Sequence, residues 1–321
     1  MNRRQIPVWL LTGFLGSGKT SLLLNWLKTD VLSNAAVVIN EVGDVGLDNT
    51  LLSNVVDSAS VLLGHCVCCS GLEGLEATLS DLWWDRLYRK RPQFDAVIIE
   101  TTGLADPRSI QAAFKQHPFL RARYQLRATL TTVSACNGME VLNTFNESVS
   151  QVKSADVVVL THVDTHDAAS LVLRVKSINP HAVCLSSSNA SLSWQAVMSA
   201  TPIFDAHHTS GAVADCFQDP QESHQHQHSA RVKFVATSPF PDAQHLTAFV
   251  ATHVQANSIR LKGIVSLRDG RMYVVHWVMQ DKQASIVLYT GTAPKDFGLT
   301  CIVTQADQFK DAPRAGVRHT H

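Results

Sequence analysis

Short apolar runs alternate with stretches of helical periodicity through the first 200 residues. The runs Val8–Leu11, Ala36–Ile39, Ser60–Leu63, Ala96–Glu100, Ala128–Val133, Val157–Leu160 and Ala182–Leu185 are continuous, not alternating. That pattern predicts strands covered on both faces of a mostly parallel sheet. Between them, Leu72, Leu75, Leu79 and Leu82 recur at spacings of three and four within a helix predicted from Leu72 to Leu87, giving one apolar stripe. Strand–helix alternation of this kind predicts an α/β doubly wound domain. From Thr201 to Ser229 the pattern dissolves into His, Gln, Asp, Ser and Pro, the composition of a linker or mobile loop. Beyond it come Arg231–Ala236, a helical segment around Asp242–His253, and the runs Ile259–Leu267 and Arg271–Met279, joined through the hairpin signal Asp269-Gly270. The expected organisation is an α/β domain over 1–200, a His-rich linker over 201–229 and a smaller α+β domain with an antiparallel sheet over 230–321. No internal repeat is visible.

Composition sharpens this picture. At about 150 residues per domain, 321 residues make about two domains. Lys plus Arg and Asp plus Glu both number 27, a balance that gives no sign of a nucleic-acid partner or a basic membrane anchor. The apolar run after Met1-Asn2-Arg3-Arg4 stops at Thr12-Gly13 without a small-residue cleavage site, so it is not read as a signal peptide. No apolar stretch approaches the roughly 18 residues needed to span a bilayer. The seven cysteines are odd in number and three fall within four residues, which disfavours a secreted disulfide framework and favours the cytosol. Histidine is over-represented at 15, and in a chain without net charge that excess suggests metal handling.

Gly13-Phe14-Leu15-Gly16-Ser17-Gly18-Lys19-Thr20 fits G-x-x-x-x-G-K-[ST]. It follows a predicted strand and opens a helix near Ser21, the context such a loop requires. The glycines allow successive backbone N–H groups to cradle phosphate oxygens at a helix N-terminus. Lys19 is expected to neutralise the β- and γ-phosphates and the Thr20 hydroxyl to ligate Mg²⁺. The chain is therefore expected to bind a nucleoside triphosphate. Further along, Ala96–Glu100 is an apolar strand ending in a carboxylate, followed by Thr101-Thr102-Gly103. Glu100 there is suited to hold Mg²⁺ or orient an attacking water, and Gly103 to let backbone approach the γ-phosphate. The segment Asn40–Asp48, with Glu41, Asp44 and Asp48, is placed to be a switch loop sensing the γ-phosphate, or else is a solvated acidic turn.

His65-Cys66-Val67-Cys68-Cys69 follows a predicted strand. Cys66 and Cys69 have the spacing that lets two thiolates reach one tetrahedral ion, and Cys68 adds a third. Such a soft donor set favours Zn²⁺ or another borderline metal over Mg²⁺ or Ca²⁺. A fourth ligand has to come from elsewhere, for example His65, Glu41 or water. An incomplete set suits a site that hands its metal on. Buried inert thiols and a redox-active vicinal pair are the alternatives.

The elements GFLGSGKT, NEVGDVGLD, CVCC and IIETTGLADP, in this order and spacing, resemble the CobW-type members of the CobW/HypB/UreG P-loop GTPases, which are regarded as metallochaperones. The resemblance covers roughly residues 6 to 200 and reaches more weakly into the C-terminal domain through Arg260-Leu261-Lys262-Gly263. It implies a P-loop NTPase fold, GTP as the nucleotide, and Zn²⁺ or Co²⁺ on Cys66, Cys68 and Cys69. Read from the residues themselves, Glu41, Asp48 and Glu100 are expected to act with Lys19 on the γ-phosphate, whereas the resemblance assigns Thr161 and Asp164 to the guanine-reading motif. That motif here reads Thr161-His162-Val163-Asp164. Asp164 retains the acceptors for guanine N1–H and N2–H, whereas His162 replaces the usual Lys, so weaker nucleotide affinity is expected. His65 stands where the family generally has Gly, either as an added ligand or as a stiffer turn.

His224, His226 and His228, preceded by His207 and His208, form a run suited to weak capture of Zn²⁺, Co²⁺, Ni²⁺ or Cu²⁺, or else are part of a polar linker. The expected whole is a cytosolic GTP-hydrolysing metallochaperone that carries Zn²⁺ or Co²⁺ to an unidentified client metalloprotein, compatible with a homodimer and without a nucleic-acid or membrane partner. A metal buffer or sensor gated by nucleotide with negligible turnover is the alternative from another class. A kinase using ATP is a third, which Asp164 argues against.

Overall fold

The computed structural model describes residues 5–29, 32, 34–39, 60–63, 67–189, 191–201, 230–236, 239–254, 258–279, 281, 283–290 and 297–304, with backbone alone for 60–63, 67–73, 230–234, 236 and 304. Two compact units emerge, the first over residues 1–227 with 291–296 and the second over 228–290 with 297–321. In the first unit the elements run β1 (Ile6–Gly13), α1 (Lys19–Leu27), β2 (Ala35–Ile39), β3 (Ser60–Leu63), α2 (Val67–Leu87), β4 (Ala96–Glu100), α3 (Pro107–Gln116), α4 (Pro118–Arg123), β5 (Tyr124–Ser134), α5 (Gly138–Thr144), α6 (Asn146–Lys153), β6 (Val157–Thr161), α7 (Ala169–Ile178), β7 (Val183–Ser187) and α8 (Trp194–Ala200). The seven strands form one sheet in the order β3-β2-β4-β1-β5-β6-β7. Every pairing in it is parallel.

The continuous apolar runs have the cause anticipated for them: both faces of the sheet are covered. Along β1, Val8 and Leu10 join one core with Leu75, Leu79 and Leu82 of α2 and with Ile110 and Phe114 of α3. Trp9 and Leu11 point the other way, into a core with Leu22, Leu23 and Trp26 of α1 and Val197 of α8. Side chains alternate between faces, yet all four are buried. Helix starts follow local chemistry. Asp106 caps α3 by accepting from Arg108 N at 3.0 Å, with Pro107 in the first turn, where a missing N–H costs nothing. Ser193 caps α8 in the same way.

Some boundaries differ from expectation. β1 and β5 each extend beyond their apolar runs, because Ile6–Val8 pair with Tyr124–Leu126 ahead of the run that begins at Ala128. β7 starts at Val183, not Ala182, since the Asn179 side chain accepts from Ala182 N at 3.1 Å and holds that residue in the preceding turn.

The second unit holds β8 (Ala230–Ala236), α9 (Ala243–His253), β9 (Ser258–Ser266), β10 (Met272–Val278), β11 (Ser285–Leu288) and β12 (Gly298–Thr304). Its sheet, in the order β11-β10-β9-β12-β8, is antiparallel throughout. Leu246 and Val250 of α9 pack on Leu261, Val265, Val275 and Leu299. Gly270, at φ 86°, closes the β9–β10 hairpin, with Leu267 N donating to Arg271 O at 2.8 Å. β11 and β12 were not anticipated.

Candidate nucleotide site

The connection leaving β1 runs to one side of the sheet and the one leaving its neighbour β5 runs to the other. At such a switch point the carboxyl ends of parallel strands open a crevice in which ligands bind. Register fixes what lies there: Leu11 pairs with Glu100 of β4, and Gly13 with Thr132 of β5. The phosphate loop leaves the sheet at Gly13, whose φ of 140° belongs to glycine alone. A Cβ at Gly13 would run into Thr132 O and Thr132 Oγ1 and come within 2.8 Å of Ser17 Oγ. Gly18 precedes α1 and offers no capping side chain, and a helix N-terminus of this kind is suited to an anion.

The loop is braced from two strands. Ser17 Oγ and Thr132 Oγ1 share a hydrogen bond of 2.6 Å, and the Thr161 hydroxyl at the end of β6 donates to Ser17 O at 2.9 Å. Lys19 is buried and curls back over the loop, donating to Gly13 O at 2.8 Å and Phe14 O at 3.1 Å. Thr20 Oγ1 donates to Glu100 Oε1 at 2.6 Å, bringing together the two groups singled out for Mg²⁺. Glu100 itself is 4% exposed. Beyond it, Thr101 N donates to Leu11 O at 2.9 Å and the Thr101 hydroxyl to Thr12 Oγ1 at 2.9 Å. Gly103 lies directly on the phosphate loop, since a Cβ there would fall 2.7 Å from Leu15 N. Ser21 follows in the first turn of α1 and faces solvent.

Asp106 ends this loop. Burial works against its charge, but the hydrogen bonds and charge of Arg108, with the Ser150 hydroxyl, outweigh that and hold the carboxyl below the usual range. At the far side of the crevice, His162 takes a left-handed backbone (φ 58°), and its Nδ1 lies 3.0 Å from Ser134 Oγ and 3.2 Å from Thr161 Oγ1. Asp164 is exposed, and one carboxylate oxygen accepts from Asn189 N at 3.2 Å. Within the motif His162 and Asp164 thus face solvent beside the buried Thr161 that braces the loop.

Of the residues expected to hold the cargo metal, Cys68 and Cys69 fall in the first turn of α2, on backbone alone. Cys66, His65, Glu41, Asp48, His207, His208, His224, His226 and His228 lie outside the described residues. Among the described residues no group of three His, Cys, Asp or Glu side chains is placed to hold a metal ion. Three histidines elsewhere in the chain make local contacts: His117 approaches Glu76 at 3.4 Å, His245 pairs with Asp242 at 2.9 Å, and His253 stacks on Phe249. None of the described helices is long and apolar enough to cross a membrane. Thr132, Ser134 and Gln151 were missed by sequence reasoning. The Thr131-Thr132 pair inside an otherwise apolar run was a usable signal for the first, whereas nothing local marks Gln151.

The nucleotide-binding domain of CobW/HypB/UreG proteins matches residues 7–185. The zinc chaperone YjiA of Escherichia coli (strain K12) is 40% identical over 178 residues, covering 55% of this chain and 56% of YjiA. The zinc-regulated GTPase metalloprotein activator 1 of Schizosaccharomyces pombe is 31% identical over 177 residues, covering 52% of this chain and 41% of that protein. The chain spans about half the length of the curated relatives it matches. A crystal structure of zinc-bound YjiA GTPase from E. coli aligns over 94% of each chain at 24% identity with a TM-score of 0.49, a likeness too loose to add to the family match.

Proposed function

The chain belongs to the CobW/HypB/UreG family, and from that premise we propose that it is a GTP-binding, GTP-hydrolysing metallochaperone that carries Zn²⁺, or Co²⁺, on Cys66, Cys68 and Cys69 and passes it to a client metalloprotein. The observation that carries the nucleotide half is the 2.6 Å contact between Thr20 and Glu100 at the mouth of the phosphate loop. Two hard oxygen donors meet there beside a buried lysine and a helix start without a side-chain cap, a set that fits Mg²⁺ and triphosphate. Thr20 and Glu100 would hold Mg²⁺ here, and the ion would supply neutralisation of phosphate charge.

The protein's own groups then divide the work. The uncapped N–H groups of α1 receive phosphate oxygens, and Lys19 exchanges two loop carbonyls for the β- and γ-phosphates. Thr20 and Glu100 hold the cation, with Glu100 and the loop through Gly103 sensing the γ-phosphate, joined by Glu41 and Asp48 of the preceding segment. Asp164 reads the base, and Thr161 of the same motif braces the phosphate loop at Ser17 beside it. Gly16, Ser17, Gly18 and Ser21 complete the cradle.

The metal half is supported by chain order and by kinship. α2, with Cys68 and Cys69 in its first turn, leaves the carboxyl end of β3 in the same parallel sheet whose carboxyl ends carry Gly13 and Glu100. Relatives named as zinc chaperones share this domain. Three thiolates on one short segment favour a borderline cation, with His224, His226 and His228 as an auxiliary capture run. Metal analysis of Cys66→Ser/Cys69→Ser beside the unmodified protein is the test. Stoichiometric Zn²⁺ lost with mant-GDP binding retained supports the reading, and equal metal content in the two proteins overturns it.

A further inference from the structure

The helical hairpin after β5 meets the nucleotide edge at two points that the proposed chemistry does not use. Phe145, between α5 and α6, stacks on Phe14 of the phosphate loop with ring centroids 4.5 Å apart. Later on α6, Gln151 is fully buried. Its Nε2 donates to Gly103 O and to Ala105 O, both at 3.1 Å. Two carbonyl acceptors settle which way round the amide sits, because a reversed amide would set its oxygen against both. The amide keeps that orientation although Oε1 has no hydrogen-bond partner among the described residues. Buried acceptors are rarely left so, and here the side chain commits its hydrogen bonding to one loop.

The surroundings make Gln151 a fixed anchor. Its own carbonyl accepts from the Thr131 hydroxyl at 2.9 Å, tying α6 to β5. Its neighbour Ser150 donates to Asp106 Oδ1 at 3.1 Å, so α6 grips the loop after Glu100 at Gly103, Ala105 and Asp106. On its other side that loop rests on Leu15 of the phosphate loop. Each peptide unit is planar, so holding the Gly103 carbonyl also sets the direction of the Leu104 N–H.

We propose that Gln151 is a positioning residue for γ-phosphate cleavage: by holding the Gly103 and Ala105 carbonyls it fixes the loop that senses the γ-phosphate, without touching the nucleotide. This rests on the GTPase reading above and deepens it. The action is on the geometry of the loop in the transition state, where small misplacements are felt strongly, and little on ground-state affinity.

The test uses the full chain and Q151M, which keeps volume and removes both donors, with S150A as a second, milder variant. Single-turnover GTP hydrolysis, mant-GDP affinity, thermal midpoint and amide hydrogen exchange are measured on each. In Q151M, hydrolysis is expected to fall about ten- to a hundredfold, while mant-GDP affinity stays within about threefold and exchange quickens in residues 103–106. S150A is expected to lower hydrolysis about threefold with faster exchange in the same segment. Wild-type hydrolysis in Q151M overturns the proposal, as does a fall in hydrolysis matched by equal losses of affinity and thermal midpoint. Should Q151M fail to fold, Gln151→Asn, which keeps the amide and shortens its reach to the two carbonyls, decides, and an unchanged rate and exchange pattern overturns the proposal. An unmodified chain that binds mant-GDP but does not hydrolyse GTP overturns the GTPase reading and this proposal together, whereas hydrolysis equal in wild type and Q151M overturns this proposal alone.

Discussion

Removal of the Thr20 hydroxyl has consequences that are separable by ligand state. Without nucleotide it donates to Glu100 Oε1 at 2.6 Å, a length typical of an O–H bond to a charged acceptor. The acceptor is a carboxylate 4% exposed, so loss of the donor is not made good by water. Thr20→Val keeps shape and branching and deletes only the hydroxyl. A hydrogen bond to a charged group contributes about 1.5–3 kcal/mol. At roughly 2–4 °C per kcal/mol for a unit of this size, the nucleotide-free protein should melt about 3–12 °C lower. On the proposed reading nucleotide and Mg²⁺ draw on the same oxygen, so Thr20→Val should also lose the Mg²⁺-dependent tightening of a non-hydrolysable GTP analogue. Thr20→Ser, which keeps the hydroxyl, should retain most of both effects. Thermal melts in chelator and analogue titrations with and without Mg²⁺ report the two halves. A Thr20→Val protein as stable as wild type, with its Mg²⁺ dependence intact, would refute the reasoning at both steps.

Other consequences follow from particular contacts. Gly103→Ala places a Cβ 2.7 Å from Leu15 N, so the two loops must part. Stability should drop by about 1–3 kcal/mol, and GTP hydrolysis should fall by more than nucleotide affinity in stopped-flow and binding assays. Leu79 is fully buried between α2 and the sheet, and Leu79→Ala should cost about 2–5 kcal/mol in urea unfolding. The Asp106 carboxyl is held below its ordinary range in the folded protein by Arg108 and Ser150, against burial. Its contribution is therefore complete above the unfolded pKa and lost as pH falls through the folded one. Asp106→Asn keeps a capping oxygen but cannot titrate, so its stability deficit in urea unfolding should shrink as pH is lowered from 5 towards 3.

The sequence is legible where a function needs consecutive residues. Gly13 to Thr20 are consecutive because a phosphate is cradled by adjacent N–H groups, and Glu100 stands out because it ends a buried strand. What sequence could not reveal is held together by register across long separations. Thr132 meets Ser17 from 115 residues away, and Gln151 meets Gly103 from 48. Neither spacing has a periodicity to betray it, since both follow from the positions of β5 and α6 beside β1. β5 was under-read for a related reason: half-buried Gln125 is polar yet pairs with Pro7 of β1, and half-buried Arg127 is the extra residue where the register shifts between Val8 and Trp9. β11, only four residues long and with Val287 and Leu288 exposed at a sheet edge, carries no buried pattern at all.

Coupling between nucleotide and metal can be measured directly. Zn²⁺ affinity should be determined on the same protein with GDP and with a non-hydrolysable GTP analogue. A chaperone that releases its metal on hydrolysis must bind the ion differently in the two states, so a clear difference in affinity is expected, abolished by Cys66→Ser/Cys69→Ser. Identical Zn²⁺ affinities in the two nucleotide states would contradict it.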